Sequence, residues 1–180
     1  LIDTPGDANF FADTRSCLQA TDGAVIVIEA IEGLKVQTEQ AWQIADQLSI
    51  PRLVFVNKMN RERADFFKTL SDISESFDTK PIVIQVPIGK ETAFEGVVDL
   101  VSQKAYVYDE SGKPTAKEIP ADLQDTVDTH REKLMEDIAE ADDALLEKYL
   151  EGQLLTDDEI TKGLRAGTLN GTFVPVFCGA

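Results

Sequence analysis

Two runs of consecutive apolar residues, Ala24-Val25-Ile26-Val27-Ile28 and Leu53-Val54-Phe55-Val56, constrain this chain more than any other feature. A strand with one wet face alternates apolar and polar residues, whereas an unbroken run is expected where both faces are buried in a parallel sheet. Between the runs, Ala41, Ile44, Ala45 and Leu48 recur at helical spacing, which predicts a helix over 38–48 that ends before Pro51. Strand, helix and strand in such short order predict a right-handed βαβ unit of a doubly wound sheet. The ligand crevice of such a sheet opens at the carboxyl ends of its strands.

The 180 residues are 43% hydrophobic, enough for one core or a core with a small insert. Seventeen basic against thirty-three acidic residues give a net charge of −16. This excludes a protein that neutralises nucleic acid along its whole surface, and sequence-specific DNA is not an expected partner. No apolar run is long enough to span a bilayer and no leader pattern opens the chain, so a cytoplasmic location is expected and a membrane partner is not. Cys17 and Cys178 lack metal-ligand or redox spacing and are expected to pack as small apolar residues. His130, in a charged helical stretch, is expected to be exposed rather than catalytic, and Trp42 is expected in the core.

Leu1-Ile2, directly before Asp3-Thr4-Pro5-Gly6, reads as the end of a buried strand running into a turn. Thr172–Ala180 reads as a strand entering a small-residue loop, so both ends are expected to fall inside structure and the chain is expected to be a piece of a longer protein. A helix is expected over 63–76. Short strands over 81–87, 94–100 and 105–108 lie too close together for crossover helices and are expected to be antiparallel. Residues 121–170 read as helical, with a seam of Leu123, Val127, Leu134, Ile138 and Leu145, and Thr156 with Glu159 as a capping box. The expected organisation is a main unit over 1–79, an insert over 80–172, and a last strand of the main unit over 173–180.

Asp3-Thr4-Pro5-Gly6 and Asn57-Lys58-Met59-Asn60 each follow a predicted strand, so both are expected at one edge of the sheet. Alone, the first is an ordinary turn and the second a polar loop. Together with Gln37-Thr38-Glu39, Arg61-Glu62-Arg63-Ala64-Asp65-Phe66 and the acidic stretch Glu140–Gly152, they make the chain resemble bacterial elongation factor G or an elongation-factor-G-like translational GTPase. The resemblance covers the distal half of that family's G domain with its inserted G′ subdomain. It implies an α/β fold: part of a P-loop-NTPase-like parallel sheet carrying an inserted α+β subdomain.

The resemblance also implies roles. Asp3 would hold Mg²⁺ through water, and the Asp3-Thr4-Pro5-Gly6 turn would meet the γ-phosphate through the Gly6 N–H. The helix over 10–20 would then move as the second switch. Asn57 would brace the phosphate loop, Lys58 would lie on the guanine face, and Gly179-Ala180 would approach the guanine oxygen. The implied cofactors are GTP or GDP with Mg²⁺ in the parent protein, and the implied role is coupling GTP hydrolysis to translocation of tRNA and mRNA. The implied partners are the ribosome and its stalk protein, the latter through acidic helices over 121–160.

That region holds fourteen acidic and three basic residues, and a solvated surface is its plainer reading.

Three departures from the family's pattern stand out. No Gly-x-x-x-x-Gly-Lys-Ser/Thr occurs, since Gly89-Lys90-Glu91 lacks both the leading Gly and the hydroxyl, so this stretch alone is not expected to hold nucleotide tightly or to hydrolyse it. Asp7 occupies the catalytic position where the family has His, and a carboxylate there is repelled by phosphate. Asn60 stands where the family has Asp, which exchanges one of two acceptors for a donor and weakens guanine pairing. These substitutions keep open the alternative of a paralogue or binding module that docks on the stalk with weak or altered hydrolysis.

Overall fold

The structure is a computed structural model that describes residues 1–109 and 111–180. In chain order its elements are α1 (Phe11–Leu18), β1 (Ala24–Glu29), α2 (Val36–Gln47), β2 (Arg52–Asn57), α3 (Phe66–Phe77), β3 (Pro81–Val83) and β4 (Gln85–Ile88). There follow β5 (Gly96–Asp99), β6 (Lys104–Tyr108), β7 (Pro114–Lys117), α4 (Gln124–Ala139), α5 (Asp143–Leu150), α6 (Asp157–Asn170) and β8 (Val174–Cys178).

Strands β1-β2-β8-β3 form a wholly parallel sheet, and β4-β5-β6-β7 form an antiparallel meander. This is the expected α/β sheet with an inserted α+β subdomain. Val54, Val56 and Val176 are fully buried at the centre of the parallel sheet, as their unbroken apolar runs require. Trp42 lies in the core, stacked flat on Phe77 with centroids 4.1 Å apart, and the Arg52 guanidinium covers its ring. Both sheets share one continuous core.

The expected single strand over 81–87 is two strands. Ile84 donates its N–H to Val176 O at 3.0 Å in the parallel sheet, while its carbonyl accepts from Leu100 N–H at 2.9 Å in the meander. One residue thus serves both ladders, and the chain changes sheets there, so β3 pairs parallel with β8 rather than joining the antiparallel strands. Periodicity does not register such a switch, because both halves are apolar.

Further differences have local causes. Helix α3 begins three residues later than expected, at Phe66, because Arg63 takes a left-handed backbone (φ 65°) and Asp65 caps the helix by accepting from Lys68 N–H. The helical seam breaks after Ala139, where Asp142 caps a new helix and carries Leu145 onto α5. The capping box of Thr156 and Glu159 opens α6 as expected.

Val25 and Val27 of β1 are each 55% exposed, contrary to the expectation of burial on both faces. Strand β1 is the edge of the described sheet, and no described element covers that side. Leu1 and Ile2 form no strand and are exposed, because the segment pairs with no described strand. His130 is half-buried rather than exposed, stacked on Phe67 of α3 with centroids 5.2 Å apart. Burial, with the nearby Lys133 charge, lowers its pKa.

The insert is fastened to the main sheet by charge as well as packing. Lys80, just before β3, reaches Asp137 of α4 at 2.7 Å and Glu140, which caps that helix, at 2.6 Å, and Asp137 is 4% exposed. Within the insert, Arg131 donates to the carbonyls of Leu100 and Val101, tying α4 to the turn after β5. At the other end, α6 lies so close to the last strand that a Cβ on Gly167 would stand 2.2 Å from Phe173 Cζ.

Gly167→Ala is therefore expected to destabilise the fold by about 1–2 kcal/mol, overpacking against buried Phe173 outweighing the better helix propensity of alanine. Urea unfolding checks this, and an unchanged or raised midpoint contradicts it.

Candidate functional site

The carboxyl ends of β1, β2 and β8 lie side by side, since Glu29 stands opposite Asn57 and Val56 opposite Cys178 in the strand registers. Three loops leave that edge together. Ala30 N–H donates to Asn57 O at 2.9 Å, Gly179 N–H to Val56 O at 3.0 Å, and Met59 N–H to Gly179 O at 3.0 Å. The last two bonds clasp the loop after β8 to the loop after β2. Glycine at 179 leaves room for the Phe55 ring, since a Cβ would lie 2.6 Å from Phe55 Cζ and would push the ring aside.

Within the polar loop, Asn57 Oδ1 accepts from Lys58 N–H at 2.8 Å, and Lys58 takes a left-handed backbone at φ 62°. That turn sends Met59 into the core, where it is 2% exposed, and leaves Asn60 exposed beside it. The loop is anchored by one apolar side chain and leaves the neighbouring amide exposed.

Lys58 Nζ forms an ion pair with Glu29 Oε1 at 2.6 Å. The hydrogen bond from Lys58, opposed by burial and aided by the charges of Lys35 and Lys58, holds the Glu29 carboxyl below its usual range. Glu29 belongs to no motif in the sequence. A carboxylate closing an apolar strand, level with the start of the polar loop, is the signal that locates it.

Asn57, Lys58, Asn60, Gly179 and Ala180 therefore share one edge. The segment of Asp3, Thr4, Pro5 and Gly6 is largely exposed, and Pro5 O accepts from Thr14 Oγ1 of α1 at 3.4 Å. Asp7 caps the short turn before α1, its carboxylate accepting from Asn9 N–H at 2.8 Å. Among the described residues no hydrogen bond joins Asp3–Asp7 to the Asn57–Asn60 loop.

Cys178, buried under this edge, lies 3.8 Å from Gln85 O, and burial pushes its thiol up to about 12, where it stays protonated. Among the described residues no group of three or more His, Cys, Asp or Glu side chains forms a metal cage. Nor is any described helix long and apolar enough to cross a membrane.

The chain matches the family described as the elongation factor Tu GTP binding domain over residues 1–180. It is also similar to a crystal structure of a Thermus thermophilus protein, at 32% identity and a TM-score of 0.89 over 98% of its length. The match covers 26% of that solved chain, so this sequence spans about a quarter of it.

The Glu29 carboxylate has a folded pKa below its unfolded value, so its contribution to stability is present above the unfolded pKa and is lost as pH falls through the folded one. The stability gap between the wild type and Glu29→Gln is expected to narrow as pH falls from about 6 to about 3. Urea titrations across that range measure it, and a constant gap contradicts the assigned ion pair.

Proposed function

The chain belongs to the family of the elongation factor Tu GTP-binding domain, and we propose from this that it is the base-binding half of a translational GTPase resembling elongation factor G. In this reading the parent protein couples GTP hydrolysis to tRNA and mRNA translocation on the ribosome. The convergence of Asn57-Lys58-Met59-Asn60 with Gly179-Ala180 at the carboxyl edge of a parallel sheet carries the reading.

The residues present fit a purine nucleotide at this edge. The clasp between Met59 and Gly179 brings two loops within reach of one planar ligand, the Lys58 stem offers apolar cover for a ring, and the Asn60 amide is free to pair with it. Mg²⁺, when bound, supplies charge neutralisation at the phosphates. A lone exposed carboxylate such as Asp3 suits that ion, which keeps several waters and takes its remaining ligands from phosphate. The Gly6 N–H would meet the terminal phosphate, and its loss would release α1 to move.

Asp7 favours the second reading, a paralogue or stalk-docking module with weak or altered hydrolysis. Its carboxylate is engaged by Asn9 N–H, and a carboxylate beside phosphate is poorly placed to orient an attacking water. The acidic surface over 121–160 supports docking on a ribosomal protein rather than on RNA, whose phosphates it repels. A cytoplasmic location follows from the proposed role.

Base preference tests the proposal. Asn60 offers one acceptor and one donor, while guanine presents two donors and xanthine exchanges one of them for a carbonyl acceptor. Xanthosine diphosphate is expected to bind the full-length protein at least as tightly as GDP. Asn60→Asp is expected to tighten GDP by about tenfold to a hundredfold, the cost of one unpaired buried group. Titration with fluorescent nucleotides measures both, and a strong GDP preference in the wild type contradicts the role given to Asn60.

A further inference from the structure

The loop that follows Asn57 is held almost wholly by the parallel-sheet unit. Met59 N–H bonds Gly179 O, Arg61 N–H bonds Lys58 O, Ala64 N–H bonds Arg61 O, and Asp65 N–H bonds Ala30 O. Arg63 is different. Its N–H donates at 2.7 Å to Glu91 Oε1, a side chain of the antiparallel insert.

Both partners sit in backbone conformations that side-chain-bearing residues seldom adopt, Arg63 at φ 65° and Glu91 at φ 50°. Conformations of that kind persist where the surroundings over-determine them. The Glu91 loop is such a setting. Gly89 turns at φ 79° where a Cβ would lie 1.9 Å from Ala93 O. Ala93 N–H bonds Lys90 O, Phe94 N–H bonds Glu91 O and Glu95 N–H bonds Ile88 O. The tip of the β4–β5 hairpin is thus tied to itself and presents Glu91 in one direction. Half-buried, Glu91 meets a backbone N–H that no other described residue accepts.

We propose that Glu91 is a positioning residue for purine recognition: it holds the Arg61–Ala64 turn in place, and through that turn fixes where Asn60 presents its amide. This rests on the base-binding reading above and extends it to the insert. The insert then has a direct handle on the base loop. By linkage, a partner that shifts the β4–β5 hairpin changes base affinity by the same factor that the base changes the partner's affinity.

The test uses the full-length protein that carries this chain, with Glu91→Ala and Glu91→Gln. The probes are fluorescent GDP and fluorescent xanthosine diphosphate, with release rates and amide exchange over 58–65 as readouts. Removing a charged acceptor from one N–H is expected to speed nucleotide release by about threefold to tenfold and to raise exchange at 61–64. The melting temperature is expected to stay within about 2 °C. Glu91→Gln, which keeps a carbonyl acceptor, is expected to release nucleotide within about twofold of the wild type. A wild type that binds but whose Glu91→Ala variant keeps wild-type release and exchange overturns the role of Glu91 alone. A wild type that holds neither nucleotide overturns the base-binding reading, and this proposal with it.

Discussion

Two backbone hydrogen bonds to Gly179, one from its N–H to Val56 O and one from Met59 N–H to its carbonyl, hold the loops after β2 and β8 together. They exist because β2 and β8 are parallel neighbours and end level with each other. Parallel pairing fixes that both loops leave in the same direction. The missing side chain at Gly179 leaves the Phe55 ring of β2 in place, since a Cβ would press on it. Burial of Met59 then fixes the loop's depth, and the left-handed Lys58 sets which residues face out.

The rest of the fold is packed against that edge of the sheet as one body. The insert shares its core with the parallel sheet and joins it through a residue common to both ladders, Ile84. Lys80 neutralises the buried Asp137 on α4, so the junction would lose an expensive charge balance if the insert swung away. The other acidic side chains of α4 and α5 are exposed, where they cost little and bias which partners approach. The shared core and the hydrogen bond from Arg63 N–H to Glu91 tie the insert to the loop that follows β2.

The parallel βαβ unit was legible because unbroken apolar runs and a helical stripe leave few alternatives, and the polar tetrad was legible because it follows one of those runs. The switch at Ile84 was not, since an apolar residue reads the same in either sheet. The late start of α3 was hidden because a left-handed Arg63 has no sequence signature; glycine is the residue that announces such a backbone. Glu29 and Glu91 were missed for a shared reason. Each acts on a partner twenty-eight or twenty-nine residues away, and pairing at that distance depends on strand register and hairpin geometry that periodicity does not encode. The exposed Val25 and Val27 show the converse: their run reports what a strand can bury, and the described elements leave one side of it open.

The central claim, that the loops after β2 and β8 form one purine-binding edge, is tested most directly by amide chemical-shift mapping of the full-length protein titrated with guanosine and xanthosine diphosphates. The account predicts that the base-dependent shifts, those that differ between the two nucleotides, gather at Lys58–Arg61 and Gly179–Ala180. Differences that fall elsewhere in the chain, with both loops silent, would contradict it.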